Sequence, residues 1–177
     1  MYVIDTSGPG FDRPLELLEA CHGRIEDRLA MLEHLVAHLA QRGADADARE
    51  AARLVLRFFD TVGEQHHRDE DDDLFPRLRS RAAELGRPEI AAVIDELERD
   101  HDTMRLQWSR LRALLDMLAR NADASLIDED IVGFCWLYRR HMARESAAIL
   151  PFAREALDAL ERGALGERMA ARRRHAA

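Results

Sequence analysis

Aromatic residues are scarce in this chain, 6% of 177 residues, and so are cysteine (two), proline (five) and glycine (nine). Each shortage excludes something. Two cysteines far apart, Cys21 and Cys135, form no C-x-x-C pair, so neither an iron–sulfur cluster nor a thiolate zinc site is indicated, and two ordinary buried thiols are expected. Nowhere do 18 apolar residues follow one another, and MYVIDTSGPGFDRP has no basic segment leading into an apolar run; a soluble, cytoplasmic protein with no membrane partner is the expectation. Positive charge is also short. A net charge of −8 argues against nucleic acid, whose phosphates need a basic surface that only the closing ARRRHAA offers. That ending reads as a frayed, solvated tail.

What is present is 47% apolar and 34% charged residues, dominated by Ala, Leu, Glu and Arg, a mixture that favours helix over sheet and suffices for one compact domain. Few breakers leave long helices between them. The first starts at Pro14 and runs to the RGADAD turn at Arg42–Asp47; the second runs from about Ala48 to Leu85, before Gly86; the third opens with Pro88 and continues to Asn121. Ser125 with Asp128 resembles a capping box for the fourth, which should reach about Arg162 before Gly163. Long helices with short connections predict an all-α, up-down-up-down antiparallel four-helix bundle over 13–162, with an arm at 1–12 and a basic tail at 163–177.

Histidines mark one level of that bundle. His22 lies about 20 residues before the first turn and His66 about 20 after it, so at ~1.5 Å per residue both sit ~30 Å from that end. His101 and His141 hold nearly equal heights in the second hairpin. At ~100° per residue, Leu15, Leu18, Ile25 and Leu29 share the face of His22, Val55 and Phe59 that of His66, Ile94, Leu97 and Met104 that of His101, and Phe134, Leu137 and Phe152 that of His141. His67 is rotated off by ~100° and should flank the site or face water.

The same geometry sorts the acids of HHRDEDDDLFPRL. Glu70, four residues after His66, shares its face; Asp72 is rotated away and reads as solvated; Asp69 and Asp73 stay in phase. A repeat singles out Glu70, because His66-x-x-x-Glu70 recurs as His141-x-x-x-Glu145, and Pro76 and Pro151 each follow six residues after the glutamate. Proline removes a backbone hydrogen bond and bends the helix just past each motif.

One buried histidine is more often an ordinary core residue. Four at one level with two glutamates are not accounted for in that way, because burying those carboxylates unpartnered would cost several kcal/mol each. A cation removes the objection. Imidazole and carboxylate without thiolate suit iron or manganese, with zinc also admissible. Six ligands exceed one tetrahedral shell and suit two metals, bridged by the glutamates and a solvent-derived group, with a position left open for a small ligand.

The order lone His, H-x-x-x-E-x-x-x-L-F-P, lone His, H-x-x-x-E resembles the hemerythrin HHE cation-binding family from Phe11 to Leu160, with local phrasing such as FDRPLELLEACHGRIE and HMARESAAILPFA similar to bacterial members. The resemblance implies two non-haem iron ions (Fe2+/Fe3+) in a four-helix bundle, with ligands His22, His66, Glu70, His101, His141 and Glu145, and a diatomic ligand such as O2 or NO. Two departures set the chain apart from oxygen-carrying members. Arg105 stands where their third helix has a second histidine, and the last acid is Glu145, with Ser146 in their aspartate's place. A site with one histidine fewer and one glutamate more is more anionic and favours the ferric state. The six-ligand pattern is more similar to the iron–sulfur-cluster repair and nitric-oxide-responsive branch.

The rival is a ferritin-like di-iron oxidase, for which Glu19-x-x-His22, Glu64-x-x-His67 and Glu98-x-x-His101 supply E-x-x-H matches, but Tyr138 occupies the place of a required glutamate. Glu19, Glu26 and Glu98 are expected to support the ring nitrogens instead. His34-x-x-x-His38 has zinc spacing on an outward face and reads as surface. Two functions fit: a binding or sensing protein, and an enzyme consuming peroxide or NO with Tyr138 as a donor.

Overall fold

In the computed structural model, residues 8–120 and 128–174 are described, and among them every regular element is helical, with no strand. The elements are α1 (Pro14–Arg42), α2 (Ala46–Phe58), a π-turn (Phe59–Gly63), α3 (Glu64–Asp69), a second π-turn (Glu70–Leu74), α4 (Phe75–Glu84), α5 (Pro88–Ala119), α6 (Asp128–Arg144), a third π-turn (Glu145–Ile149), α7 (Leu150–Ala156) and α8 (Ala159–Arg174). No described helix is long and apolar enough to cross a membrane. The Ser125 cap lies outside the described residues.

Local chemistry explains the boundaries. Asp45 caps α2 by accepting the Ala48 N–H at 2.9 Å. After α4, Gly86 takes φ 65°, a conformation that side chains with a Cβ disfavour, while the Arg87 N–H reaches back to the Ala82 carbonyl at 2.7 Å and the Gly86 N–H to Ala83 at 3.3 Å. Those two bonds are a Schellman ending, and Pro88, which has no N–H to leave unpaired, then starts α5.

Two compact units divide the chain. One holds the described residues up to Gly23, with Gln65–Ile94 and those from Arg144 on; its interior is built from Leu15, Leu18, Phe75, Leu78, Ile94 and Phe152. The other holds Arg24–Glu64 and Asp95–Ala143, with Leu29, Leu32, Val55, Met104, Leu115 and Phe134 inside. Apolar residues recurring at helical spacing on each segment account for both interiors.

The fourth predicted helix differs from expectation. It ends at Ala156 rather than near Arg162, because Leu157 turns extended (φ −94°, ψ 127°) and buries its side chain. A capping box restarts the chain: Glu161 N–H donates to Asp158 Oδ1 at 2.8 Å, and Asp158 N–H donates to Glu161 Oε2 at 3.0 Å. The supposed frayed tail is therefore helical as far as Arg174, and Leu165 and Met169 on it are buried.

Candidate metal centre

The first unit gathers four of the six expected ligands. His22 comes from α1, His66 from α3, Glu70 from the start of the second π-turn and Glu145 from the start of the third. One donor atom from each lies within 4.8 Å of the others, and all four side chains are buried. His22 Nε2 is 3.0 Å from Glu145 Oε2, and His66 Nε2 is 3.1 Å from Glu70 Oε1. The two imidazoles meet edge to face, their centroids 5.2 Å apart.

The π-turns explain why both glutamates reach inward. In each, the amide five residues on, Phe75 or Leu150, donates to the glutamate's carbonyl. Proline follows at once, Pro76 or Pro151, and its ring cannot accept the carbonyl four residues back in ordinary helical register. Widening by one residue relieves that conflict, and such bulges recur at functional sites. The expected bend is thus an expanded turn whose first residue is the candidate ligand.

The donor set fits a cation. Ligands at roughly 2.0–2.2 Å from one ion and at about right angles stand about 3 Å apart, which is the spacing of both pairs. His22 Nε2 is buried and makes no hydrogen bond with proper direction, although a carboxylate oxygen is 3.0 Å away. That geometry suits two lone pairs aimed at a shared ion better than a donor aimed at an acceptor. Electrostatics agrees. Burial, and then the neighbouring Glu145 carboxylate, push the Glu70 carboxyl well above the usual carboxylate range. A positive ion between the two acids would reverse that.

The second unit brings His101 of α5 and His141 of α6 together, both buried, with their Nε2 atoms 3.1 Å apart and rings 4.5 Å between centroids. Behind His141, Asp100 Oδ2 is 3.8 Å from Nδ1, and Arg140 holds the other Asp100 oxygen. Burial works to raise the Asp100 carboxyl, yet His141 and Arg140 outweigh it and bring it below its ordinary value. A carboxylate behind an imidazole orients the ring and makes its far nitrogen a better donor to metal. Sequence reasoning assigned this role to Glu19, Glu26 and Glu98. Of these, Glu19 pairs with Arg154 at 2.6 Å, and Glu26 receives Arg139 at 2.7 Å. The available signal was the adjacency of Asp100 to His101 and of Arg140 to His141, which places charge next to each candidate ligand.

Four other expectations meet the structure. His67 is buried rather than facing water, its ring 6.1 Å from that of His66, because α3 is covered on that side as well. Asp72 is half exposed, whereas Asp69 and Asp73 are buried against Arg168, Arg172 and Arg173 of α8. His34 is exposed, and His38 binds Asp45 at 2.8 Å, a contact between α1 and the cap of α2. Cys21 and Cys135 are buried thiols outside any disulfide, and burial pushes Cys135 up to about 12.

Comparison with known proteins gives the family of the chain. The chain is 30% identical over 167 residues to an uncharacterized protein of Haemophilus influenzae, covering 92% of this chain and 91% of that one. Residues 13–153 match the model of the hemerythrin HHE cation binding domain. With that match spanning every element that carries one of the buried histidine or glutamate donors, the chain belongs to the hemerythrin HHE cation-binding family.

Proposed function

We propose that this chain is a non-haem di-iron protein on a four-helix bundle, with His22, His66, Glu70, His101, His141 and Glu145 as ligands, and that it binds a diatomic molecule such as O2 or NO for sensing, storage or redox response. The observation that carries the reading is the buried quartet His22, His66, Glu70 and Glu145, a set of metal-ligand side chains with no apolar rationale. The buried pair His101 and His141, supported by Asp100, adds the remaining imidazoles. Iron in such a set supplies a redox-active Lewis acid with room for one further small ligand.

The chain's own residues would set the conditions for that chemistry. Two carboxylates offset cationic charge, so the oxidised metal is favoured over the reduced. The four side chains are buried, which would limit the access of water to the ion. Asp100 holds His141 in one orientation. Turnover of peroxide or NO is a second reading, favoured by Tyr138, a buried phenol one helical turn before His141 in a wall of Phe59 and Phe134.

The test is metal analysis with visible absorption under anaerobic conditions, then with O2, NO and peroxide in turn. About two irons per chain, with a stable spectral change and no sustained loss of the added molecule, is the expected result. Continuous consumption would select the enzyme, and a metal-free chain after iron loading would end both readings.

A further inference from the structure

The last turns of α8 meet the segment that carries Glu70. Asp69 immediately precedes Glu70, and Asp73 lies three residues after it in the same π-turn; both are buried carboxylates. Arg172 donates to Asp69 Oδ1 and, at 2.6 Å, to Asp73 Oδ2. Arg173 takes both oxygens of Asp69, at 3.0 and 2.6 Å, and Arg168 Nε lies 2.8 Å from Asp73 Oδ1. All four carboxylate oxygens are thus met by arginines of α8. A second anchor lies on the N-terminal arm: Gly166 packs so closely that a Cβ there would sit 1.9 Å from the Phe11 carbonyl oxygen, and the Arg173 guanidinium lies 5.4 Å over the Phe11 ring.

A buried carboxylate deprived of its counter-charge carries a large desolvation penalty. With α8 displaced, Asp69 and Asp73 lose those partners and meet water, and the turn that opens on Glu70 loses the contacts that fix its outer side. Asp69 and Glu70 are consecutive on one helical turn, so a shift of the first is passed to the second. Leu157, extended between α7 and α8, makes α8 a helix separate from α7. We propose that α8 is a retention latch for the metal site, with Arg172 and Arg173 as positioning residues for Glu70; this rests on Glu70 being a metal ligand. Metal enters and leaves with α8 displaced and is held when α8 is seated.

The full chain is loaded with iron(II) without oxygen, and its release to a chromogenic chelator is timed; in parallel, amide hydrogen exchange of residues 70–75 is followed in metal-free protein. Arg172→Ala with Arg173→Ala should speed release about tenfold, the scale of losing a partner behind a metal ligand, and should speed exchange in the π-turn. Gly166→Ala, which unseats α8 without removing a charge, should act in the same direction. Arg172→Lys, which keeps charge and loses the fork, should fall between and serves if the double variant does not fold. Arg154→Ala, which breaks the exposed pair with Glu19, should match the wild type. Release or exchange at the wild-type level in the α8 variants overturns the latch. Were the wild type to hold no iron, the di-iron reading would fall, and the exchange measurement alone would still decide whether α8 holds the turn.

Discussion

Glu70 carries opposite requirements in the metal-free and loaded protein. Its carboxyl is raised above the ordinary value of 4.5 by burial and by Glu145. In the unfolded chain that carboxyl loses its proton near 4.5, while in the folded metal-free chain it keeps it, so stability falls as pH rises above about 4.5 until the folded group also ionises. Thermal melts of metal-free protein from pH 4.5 to neutral should show a downward trend that Glu70→Gln reduces, and the same variant should lose iron. A trend unchanged by Glu70→Gln would place the buried charge elsewhere. The two adjacent histidines separate in the same manner. Because His67 is buried, His67→Ala should cost about 1–3 kcal/mol yet leave iron content near wild type, whereas His66→Ala should lose it. Equal iron loss in both would make His67 a ligand. Its burial was not legible from rotation about one helix axis, since a second covering layer hides a face that a lone helix would expose.

At the scale of elements, the prolines six residues after each glutamate decide more than helix direction. Pro76 and Pro151 each follow a π-turn that opens on a proposed ligand. Pro76→Ala restores an N–H and frees the carbonyl four residues back, so the segment can close to ordinary helix and swing Glu70 by part of a turn. Iron retained per chain should fall while helix content by circular dichroism stays constant; retention equal to wild type would show that other contacts hold the π-turn. The sequence announced a disturbance at these prolines but not its kind, because a kink and a widened turn both satisfy a missing N–H. It also concealed the start of α8. Asp158-x-x-Glu161 is a capping box in the middle of an apparently continuous helical run, and only the extended backbone at Leu157 makes it a beginning.

At the scale of the molecule, burying Glu70 and Glu145 among the four proposed histidine ligands is costly, and a cation would offset that cost. Metal binding should therefore add directly to folding stability: removal of iron by a chelator should lower the melting temperature by several degrees, on the order of 4 °C or more for each 2 kcal/mol in a chain of this size. A transition that does not move would mean that the helices alone hold the donors in place. The chain's order of residues by itself determined the helical class, the two H-x-x-x-E repeats and the identity of the candidate ligands, because helical periodicity fixes which side chains share a face and turn residues fix where helices end. Tertiary structure alone decided that Asp100 stands behind His141, that His67 is covered, and that Arg172 and Arg173 close on Asp69 and Asp73. Each of these joins residues distant in sequence or depends on what lies over a helix, and periodicity along one helix carries no information about either.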